Sequence, residues 1–480
     1  MHHILTTKTK SIMKIEQIYT GCLAQGAYYI TSNGEAAIID PLRETQPYTD
    51  RLEKDGVKLK YIFETHFHAD FVSGHLDLSK KTGASIVYGP NAKPDFEFIS
   101  AKDNEVFEIG DIKIKVLHTP GHTMESTTFL LIDADGNDHA IFSGDTLFLG
   151  DVGRPDLAQK AASMTQEQLA GLLYHSLRDK IMPLADDVIV YPAHGAGSAC
   201  GKNMSKETTD TLGNQKKVNY ALRADMTREE FIAELLDGLT PPPAYFPQNV
   251  MMNIQGYDSL ENVMNKGNIA LTPNEFEAVA NQSEALILDV RHESEFVVAH
   301  IPGSIFIGLH GQFAPWVGAL IRDTKQPLLL VTPEGLETET ITRLSRVGFD
   351  HTLGYLKGGI DAWKAAGYET DAITSISPET FAAQYEEAII VDARKPSEFK
   401  AEHVEKAINI PLDYVNEQLA EVPKEETFFL HCAGGYRSVI MSSILKARGY
   451  HNMINVEKGM TGIRTTAVPL TAFVCPSTLK

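Results

Sequence analysis

The chain has 480 residues, of which 43% are hydrophobic and 22% are charged, and its formal net charge is −20. At roughly 150 residues per domain, this length predicts about three globular domains. The acidic charge disfavours nucleic acid as a partner. A membrane partner is not expected either, because no apolar run approaches the roughly 20 residues of a bilayer span.

The chain contains only four cysteines, which are too few for a disulfide framework and predict a reducing compartment. The N-terminal stretch MHHILTTKTKSI is too polar for a secretory signal and lacks the arginines of a transit peptide. We therefore expect a cytoplasmic protein in which residues 1–12 form a disordered extension. The cysteines are Cys22, Cys200, Cys432 and Cys475.

Short strands dominate the first half of the sequence, with helical stretches between some of them. Helices are predicted at Thr165–Asp179 and Met226–Asp237, and the Pro-rich stretch Thr240–Pro247 marks the approach to a domain boundary. We place that boundary near Lys266, so the first domain spans residues 13–265. The predicted strands are MKIEQIYTG, YYITSN, EAAIID, KYIFETH, SIVYGP, IKIKVLHTP, TTFLLID, HAIFSGD and DVIVYPAH.

The C-terminal half contains an internal repeat of about 100 residues. Each copy opens with Ser/Thr-Pro at a helix start, at Thr272 and at Ser377. Each continues into a buried strand, LILDVR or IIVDAR, and ends in a glycine turn before a further helix, LKGGIDAW or VEKGMTGI. Strands that alternate with helices predict parallel sheets, so we expect two small α/β domains over residues 266–370 and 371–480.

Four polar clusters of the first domain each follow a predicted strand. Side chains that follow strands at the same end of a sheet can converge on one point. Imidazole and carboxylate groups are the ligands that zinc and iron use in proteins. The combination and order of these clusters predict a metal site rather than a chance grouping of some of the 17 histidines. The clusters are THFHADFVSGH at Thr65–His75, HTPGH at His118–His122, SGD at Ser143–Asp145 and PAH at Pro192–His194.

These motifs resemble the metallo-β-lactamase superfamily over residues 13–246, and the stretches GDTLFLGDVGRPDL and YPAHGAGSACGK are similar to its persulfide dioxygenase branch. The resemblance implies an αββα sandwich with the metal at one edge, and it makes His66, His122 and Asp145 the ligands of one Fe(II) per chain. Two histidines and one carboxylate leave three open positions on an octahedral Fe(II), which suits binding of a persulfide and of O₂ as co-substrate.

One position departs from the two-metal hydrolases of the superfamily, which carry H-x-H-x-D-H. Phe71 replaces the last histidine here, so a second metal at Asp70 and His194 would lack a nitrogen ligand, and we expect a single-metal site. His68 has two interpretations. It is either a fourth ligand, which would favour zinc, or, as we favour, a residue behind the ligands that orients substrate or oxygen.

Three further residues near the predicted metal are candidates for substrate contacts or for structure. Arg154 would either clamp an anionic thiol carrier or form a structural salt bridge, and Tyr191 lies close to His194 in the sequence. Cys200 is either a thiol placed for persulfide chemistry or, as we favour, a buried small apolar residue. The second role is also the expectation for the first and last cysteines of the chain.

A reactive cysteine is predicted in the last domain, where the strand Phe428–Leu430 is followed by HCAGGYRS and a helix. Gly434 and Gly435 let backbone N–H groups point inward, and these donors, the helix dipole and Arg437 stabilise an anion at sulfur. Such an environment favours a thiolate and a persulfide at Cys432. The sulfur-binding loop comprises Ala433, Gly434, Gly435, Tyr436 and Ser438.

This domain is similar to the rhodanese (sulfurtransferase) family over residues 377–466, which implies that Cys432 and Arg437 carry sulfur transfer. Ala433 stands where the family often has an arginine, so binding of a dianion such as thiosulfate would be weaker. Tyrosine phosphatases also have a Cys-loop-Arg, but with one more residue in the loop, which makes phosphatase activity the minor alternative. The family's structural signature, expected to hold the fold and the loop, is matched at Asp392, Arg394, Ser397–Phe399 and His403.

The middle copy of the repeat lacks the nucleophile, since no cysteine occurs between Cys200 and Cys432. Its corresponding loop, LLLVTPEGLETET at Leu328–Thr340, is acidic through Glu334 and Glu337 and cannot carry a persulfide. We expect a scaffold that positions the outer domains or forms an oligomer interface, and we expect the chain to form a homo-oligomer.

The sequence thus predicts a bifunctional enzyme of sulfide and persulfide detoxification. Its iron site would oxidise a low-molecular-weight thiol persulfide with O₂ to sulfite and thiol, and Cys432 would act as a sulfurtransferase that gives thiosulfate. The alternatives are a zinc thioester hydrolase of the glyoxalase II type with a sulfurtransferase tail, and a non-catalytic sulfur carrier or persulfide sensor. Glutathione, coenzyme A and bacillithiol persulfides all fit as the substrate.

Overall fold

The computed structural model describes residues 13–158, 163–202, 204–239 and 241–474. Contacts divide the chain into two units, which comprise Met1–Leu260 with Ser345–Gly348 and Glu261–Leu344 with Phe349–Lys480. The predicted N-terminal extension and Cys475 lie outside the described residues. Among the helices that the structure describes, none has the length and apolar character needed to cross a membrane.

The first unit contains two six-stranded sheets. The strands are β1 (Lys14–Thr20), β2 (Gln25–Ser32), β3 (Glu35–Ile39), β4 (Lys58–Glu64), β5 (Ser85–Tyr88), β6 (Ile99–Ser100), β7 (Val106–Ile109), β8 (Ile112–His118), β9 (Thr127–Ile132), β10 (Asp138–Gly144), β11 (Ile189–Pro192) and β12 (Asp210–Thr211). Their order is β1-β2-β3-β4-β5-β6 in one sheet and β12-β11-β10-β9-β8-β7 in the other. Both sheets are mixed, because antiparallel pairs such as β1–β2 and β8–β9 stand beside the parallel pairs β3–β4 and β10–β11.

The predicted helices Thr165–Asp179 and Met226–Asp237 are confirmed as α3 and α5. Each begins with a capping box, in which Thr165 and Gln168, or Thr227 and Glu230, exchange side-chain and backbone hydrogen bonds. A single π-helical turn, Leu177–Ile181, follows α3. The helices of this unit are α1 (Gln46–Asp55), α2 (His75–Thr82), α3 (Gln166–Ser176), α4 (Leu212–Val218), α5 (Arg228–Leu236) and α6 (Phe246–Gln255).

Apolar side chains from both sheets meet in one layer, which includes Ile30, Phe63 and Phe129. Successive residues of a strand point to opposite faces, so each sheet also has an outer apolar face that helices must cover. Leu78 of α2 packs on the outer face of the first sheet, and Leu173 of α3 packs on that of the second. This is an αββα sandwich, and the predicted fold class is confirmed for this unit.

The second unit contains two five-stranded parallel sheets with the same permuted order, β13-β17-β16-β14-β15 and β18-β22-β21-β19-β20. The equal permutation confirms two copies of one α/β unit, as the internal repeat predicts. The strands are β13 (Ala270–Leu271), β14 (Leu286–Asp289), β15 (Ile305–Phe306), β16 (Leu328–Val331), β17 (Thr352–Leu356), β18 (Ser375–Ile376), β19 (Ile389–Asp392), β20 (Ile408–Asn409), β21 (Phe428–His431) and β22 (Met453–Val456).

Helices flank both parallel sheets. Thr272 and Ser377 each cap a helix whose first position is proline, as predicted, because proline has no N–H to leave unpaired there. The helices are α7 (Leu260–Gly267), α8 (Pro273–Ser283), α9 (Glu293–Val298), α10 (Phe313–Leu320), α11 (Glu337–Arg346), α12 (Gly359–Ala365), α13 (Pro378–Ala382), α14 (Pro396–Ala401), α15 (Tyr436–Ala447) and α16 (Gly459–Ile463).

Candidate metal centre and cysteine site

Three buried donors meet where strands of both sheets end: His66 after β4, His122 after β8 and Asp145 after β10. Their ligand atoms all lie within 4.8 Å of one another. The Oδ2 atom of Asp145 is 3.4 Å from Nε2 of His122 and 3.8 Å from Nε2 of His66. The structure therefore brings together the three residues that the resemblance makes metal ligands.

Hydrogen bonds on the far side of each imidazole turn its Nε2 toward Asp145. His122 donates from Nδ1 to the carbonyl oxygen of Arg154, at 2.7 Å. His66 donates from Nδ1 to the hydroxyl of Thr65, at 3.0 Å, because that hydroxyl itself donates to Asp40. Burial lowers the pKa of His66 well below its ordinary value, and so do the neighbouring imidazoles. His66 is thus neutral, and the Nδ1 contacts direct the Nε2 atoms of both rings, which would ligate a metal, toward Asp145.

Asp145 supplies the test of whether a cation fits this group. Both of its carboxylate oxygens are buried, and neither has a hydrogen-bond partner among the described residues. A buried carboxylate without a hydrogen-bond partner costs several kcal/mol at the least, and a cation between it and the two imidazoles removes that cost. The donor set therefore fits a metal ion of the zinc or iron type.

Further donors lie on the other side of the same carboxylate. Nε2 of His194 is 3.6 Å from Oδ1 of Asp145 and 3.5 Å from Oδ2 of Asp70. Phe71 is fully buried, and its ring stacks on His68 with the centroids 4.2 Å apart. An apolar ring thus stands next to this second group of donors, at the position where the two-metal hydrolases carry their additional histidine.

His68 belongs to two groups of buried donors: its ligand atoms lie within 4.8 Å of those of Asp70 and His194 in one group, and of those of Asp40 and Glu64 in the other. Its Nε2 is 3.1 Å from Asp40 and 3.5 Å from Glu64, and all three side chains are buried. Burial alone lowers the pKa of His68, but the two carboxylates outweigh burial and raise that pKa well above its ordinary value. The structure thus places His68 against two carboxylates and also beside Asp70 and His194, and both interpretations of His68, as a metal ligand or as a residue behind the ligands, stay predictions.

Helix α6 forms hydrogen bonds to the loop that contains His68 and Phe71, although the two segments are far apart in the sequence. Asn253 in α6 donates to the carbonyl oxygens of His68 and Phe71, both at 2.8 Å, and accepts the N–H of Ser73 at 2.9 Å. The hydroxyl of Tyr245 donates to the carbonyl oxygen of Asp70, at 3.2 Å. Sequence reasoning missed these residues, because no local signal links an asparagine to a loop 180 residues earlier.

Two of the candidates for substrate contact, Arg154 and Tyr191, make contacts within the protein. Arg154 is 4% exposed and forms a bidentate ion pair with Asp156, with both N–O distances 2.7 Å, which is the structural alternative for this residue. Tyr191 stacks on Phe142 with ring centroids 5.3 Å apart, inside the layer between the sheets. Alternation along β11 turns the side chain of Tyr191 into this layer, so its role as a candidate for substrate contact gains no support from the structure.

Cys200 lies closer to the metal donors than a purely apolar role predicts. It is buried, and its sulfur lies within 4.8 Å of ligand atoms of Asp145 and His194. Burial raises the pKa of this thiol well above its ordinary value, and the carboxylates of Asp70 and Asp145 raise it further. Cys200 is therefore a protonated thiol beside the candidate metal centre.

The cysteine loop of the last domain has the predicted shape. Cys432 is 1% exposed and follows β21 directly, and the N–H of Gly435 donates to its sulfur at 3.2 Å. Gly435 has a φ of 111°, a conformation that glycine adopts without strain. The loop also packs tightly on the start of α16, where a Cβ on Gly459 would lie 2.1 Å from the carbonyl oxygen of Cys432.

Arg437 is engaged by a carboxylate from another helix. Its two Nη atoms donate to Glu398 of α14 at 2.6 and 2.8 Å, a bidentate pair that fixes the guanidinium. Glu398 was expected only to hold the fold, but it also borders the cavity beside Cys432. His431, which precedes the nucleophile, is buried, and burial lowers its pKa, so its ring is neutral.

A cavity of about 410 Å³ opens beside Cys432, and residues of both repeats line it. Because the middle domain contributes two side chains from the start of α10, the cavity is not a property of the last domain alone. The lining residues are Gln312, Trp316, Lys395, Glu398, Cys432, Gly434, Tyr436 and Arg437.

The middle copy keeps a cavity of similar size, about 440 Å³, beside the corresponding loop. Thr332 follows β16 there as Cys432 follows β21, and Glu337 stands in the place of Arg437. The lining carboxylates include Glu295, Glu334 and Glu337. The acidic character predicted for this loop thus surrounds a real cavity that has no nucleophilic sulfur.

Comparison with known families assigns one family to the N-terminal unit and another to both repeats of the second unit. Residues 20–194 match the metallo-beta-lactamase superfamily, and residues 272–366 and 377–466 each match the rhodanese-like domain. The metal donors His66 to His194 lie in the first match. Cys432 lies in the last.

Curated relatives match the N-terminal part under two different names. The chain is 30% identical over 230 residues to the mitochondrial persulfide dioxygenase ETHE1 of Homo sapiens, a match that covers 46% of this chain and 80% of that protein. It is 36% identical over 172 residues to a hydroxyacylglutathione hydrolase of Tolumonas auensis, covering 35% of this chain and 60% of the hydrolase.

A solved structure extends the similarity beyond the first unit. The crystal structure of a metallo-beta-lactamase from Staphylococcus aureus subsp. aureus COL is 31% identical, with a TM-score of 0.64. The match covers 72% of this chain and 99% of that one, which is more than the N-terminal unit alone accounts for.

Proposed function

We propose, from the premise that this chain belongs to the metallo-β-lactamase superfamily and carries two rhodanese-like domains, that it couples persulfide oxidation to sulfur transfer. The substrate of the first reaction is a low-molecular-weight thiol persulfide, and its products are sulfite and the thiol. The second reaction, at Cys432, gives thiosulfate. Together the two reactions would dispose of sulfide-derived sulfur.

The observation that carries the proposal is the buried group of His66, His122 and Asp145, with two imidazoles facing a carboxylate that has no hydrogen-bond partner. One Fe(II) held there would supply a Lewis-acid and redox centre with open positions for a persulfide and for O₂. The similarity to a persulfide dioxygenase supports this reaction and substrate class.

The chain's own residues hold the ligands and exclude water. Thr65 and the carbonyl oxygen of Arg154 fix the two imidazoles, which keeps the donors in place before the substrate arrives. The imidazolium of His68, between Asp40 and Glu64, keeps two buried carboxylates paired behind the site. Asp145 would then be the carboxylate that holds the ion together with His66 and His122.

At the second site, Cys432 acts as a nucleophile toward sulfane sulfur. Its thiolate attacks the outer sulfur of a persulfide, the S–S bond to the carrier breaks, and the carrier leaves as a thiolate. Sulfite then attacks the outer sulfur of the Cys432 persulfide, so that thiosulfate forms and the Cys432 thiolate returns. The N–H of Gly435, which points at the sulfur, stabilises the anion in both steps.

The test is oxygen uptake by protein that is purified without air and assayed for iron. With glutathione, coenzyme A and bacillithiol persulfides as probes, we expect uptake with at least one of them. His122→Ala should lose both iron and uptake. The matched control is His118→Ala, in the same HTPGH motif, because His118 contacts a backbone carbonyl outside the metal donors. Iron-loaded protein that consumes no oxygen with any persulfide would refute the dioxygenase.

The reaction products distinguish persulfide oxidation from sulfur transfer. Cys432→Ser should leave oxygen uptake unchanged and shift the product from thiosulfate to sulfite, because only the second step is removed. Unchanged thiosulfate formation in this variant would show that the sulfur is transferred elsewhere.

A zinc thioester hydrolase is the second candidate, favoured by the hydroxyacylglutathione hydrolase relative and by Asp70 and His194 beside Asp145. It requires zinc in the purified protein, cleavage of S-lactoylglutathione and no oxygen uptake with persulfides. The absence of a histidine at Phe71 favours the dioxygenase.

A further inference from the structure

We propose that the cysteine-free rhodanese-like domain forms one wall of the sulfur-transfer site, where Trp316 and Gln312 bind the organic part of a thiol persulfide that reacts with Cys432. This inference rests on the proposed sulfurtransferase function of Cys432 and names its donor class. The middle domain then has a direct part in substrate selection, beyond the scaffold role that its missing cysteine suggests.

The two domains are joined immediately beside the nucleophile. Tyr436, at the start of α15, donates its hydroxyl to the carbonyl oxygen of Gly308 at 2.7 Å. Its ring lies 5.2 Å from that of His310, and a Cβ on Gly311 would lie 2.3 Å from it. These contacts fix the segment that leads into α10, and Trp316 lies one turn into that helix.

The size and walls of the cavity suit an organic ligand. Its volume of about 410 Å³ is in the range of pockets for small organic molecules, which is roughly 300–1,000 Å³, and far exceeds what one transferred sulfur atom needs. Trp316 is 7% exposed, so its indole is a fixed apolar surface, while the amide of Gln312 at the exposed N-cap of the helix offers hydrogen bonds.

The charges of the cavity disfavour a small dianion. Glu398 neutralises Arg437 through a bidentate pair, which leaves Lys395 as the positive charge in excess among the lining residues. The sulfur end of an organic persulfide brings one negative charge to Cys432 and keeps the other charges of its carrier farther away, whereas thiosulfate concentrates both of its charges there. The carrier part of an organic persulfide also offers atoms for contact with the indole and the amide that line the same cavity, and thiosulfate has no such part.

The experiment measures sulfur loading of Cys432 in the full-length protein without oxygen, so that the metal site is idle. Glutathione persulfide and thiosulfate are the two donors, and the gain of one sulfur atom is followed by intact mass spectrometry. We expect Trp316→Ala and Gln312→Ala to slow loading from glutathione persulfide about tenfold, the value of one lost stacking or hydrogen-bond contact, with loading from thiosulfate changed less than about twofold.

Trp363→Phe is the matched control, because Trp363 is the other tryptophan of the chain and lies in the core of the same domain, away from the cavity. It should load normally from both donors. Equal slowing of both donors by Trp316→Ala would overturn the inference in favour of a purely structural role, and so would no slowing of either. Wild-type protein that loads from neither donor would instead refute the sulfurtransferase function itself.

Discussion

The two rhodanese-like domains share a scaffold and differ in chemistry, and the comparison separates what holds this fold from what makes it reactive. In the last domain, Arg394 donates to Asp392 at 2.6 and 3.0 Å. In the middle domain, Arg291 donates to Asp289 at the same two distances. This buried pair persists where no nucleophile exists, so it serves the fold, as predicted for the family signature.

A second contact shows the same equivalence. His403 stacks on Phe399 at 3.7 Å between ring centroids, and His300 stacks on Phe296 at 4.0 Å. Each histidine also donates from Nδ1 to the carbonyl oxygen of that phenylalanine, at 2.7 and 2.8 Å respectively. Histidines that look reactive in a sequence are here parts of the framework.

The difference lies in one loop. Thr332 of the middle domain stands where the last domain has Cys432, and Glu337 where it has Arg437, although both domains keep a cavity of about 410 to 440 Å³. A cavity on a conserved scaffold is thus insufficient for sulfur transfer, which needs the sulfur and its anion-stabilising surroundings.

The largest expected effect is at the nucleophile. Cys432→Ser should lower sulfur loading by at least about 10³-fold, because a hydroxyl is a far weaker nucleophile at neutral pH. Adding Thr332→Cys to this variant should not restore loading, since Glu334 and Glu337 oppose an anion at that position. Intact mass spectrometry after treatment with glutathione persulfide checks both. If the cysteine introduced by Thr332→Cys gained sulfur at the wild-type rate, the acidic side chains of this loop would not explain why the two domains differ.

The next effect concerns the shared scaffold. Arg394→Met and Arg291→Met should each lower the free energy of unfolding by about 3–5 kcal/mol, because each leaves a buried aspartate without its cation. Urea unfolding measures this. The control, Arg223→Met, removes an exposed pair with Asp225 and should cost less than about 1 kcal/mol. A large loss in one domain only would mean that the two pairs are not equivalent.

A smaller, pH-dependent effect is expected at Glu398. Burial by itself raises the pKa of this carboxyl, but Arg437 outweighs burial and holds it below its ordinary value of 4.5. A lowered folded-state pKa stabilises the fold above pH 4.5, and that contribution is lost as the pH falls through the folded pKa. The melting temperature of Glu398→Gln should therefore lie below that of the wild type at pH 7 and converge with it in acid. A constant difference across this range would contradict the charge pairing.

The smallest expected effect tests whether the loop after β16 in the middle domain can accept the charge pattern of the loop after β21 in the last domain. Glu337→Arg should pair with Glu295, which borders the same cavity, and raise the free energy of unfolding by up to about 1 kcal/mol. Glu334→Arg, at the position of Gly434, is the control and should change it less. Destabilisation by Glu337→Arg would show that the two loops differ in backbone position as well as in side chains.

The sequence alone determined the order of strands and helices, the repeat and the polar groups at strand exits. These are local properties: hydrophobic periodicity, proline at helix starts and motifs that follow strands. It also identified Cys432 and its glycine loop, because the strand, the loop and the helix are contiguous.

Tertiary structure decided which groups face the reactive atoms. The Nε2 of His68 faces Asp40 and Glu64, Arg437 pairs with Glu398, and Trp316 of one domain borders the cavity beside Cys432 of the other. Each of these contacts joins segments from different elements, and its geometry depends on how sheets and helices pack. The sequence determines the charge and the hydrogen-bonding capacity of each side chain. Which partner the side chain contacts depends on the packing of elements that are distant in the chain.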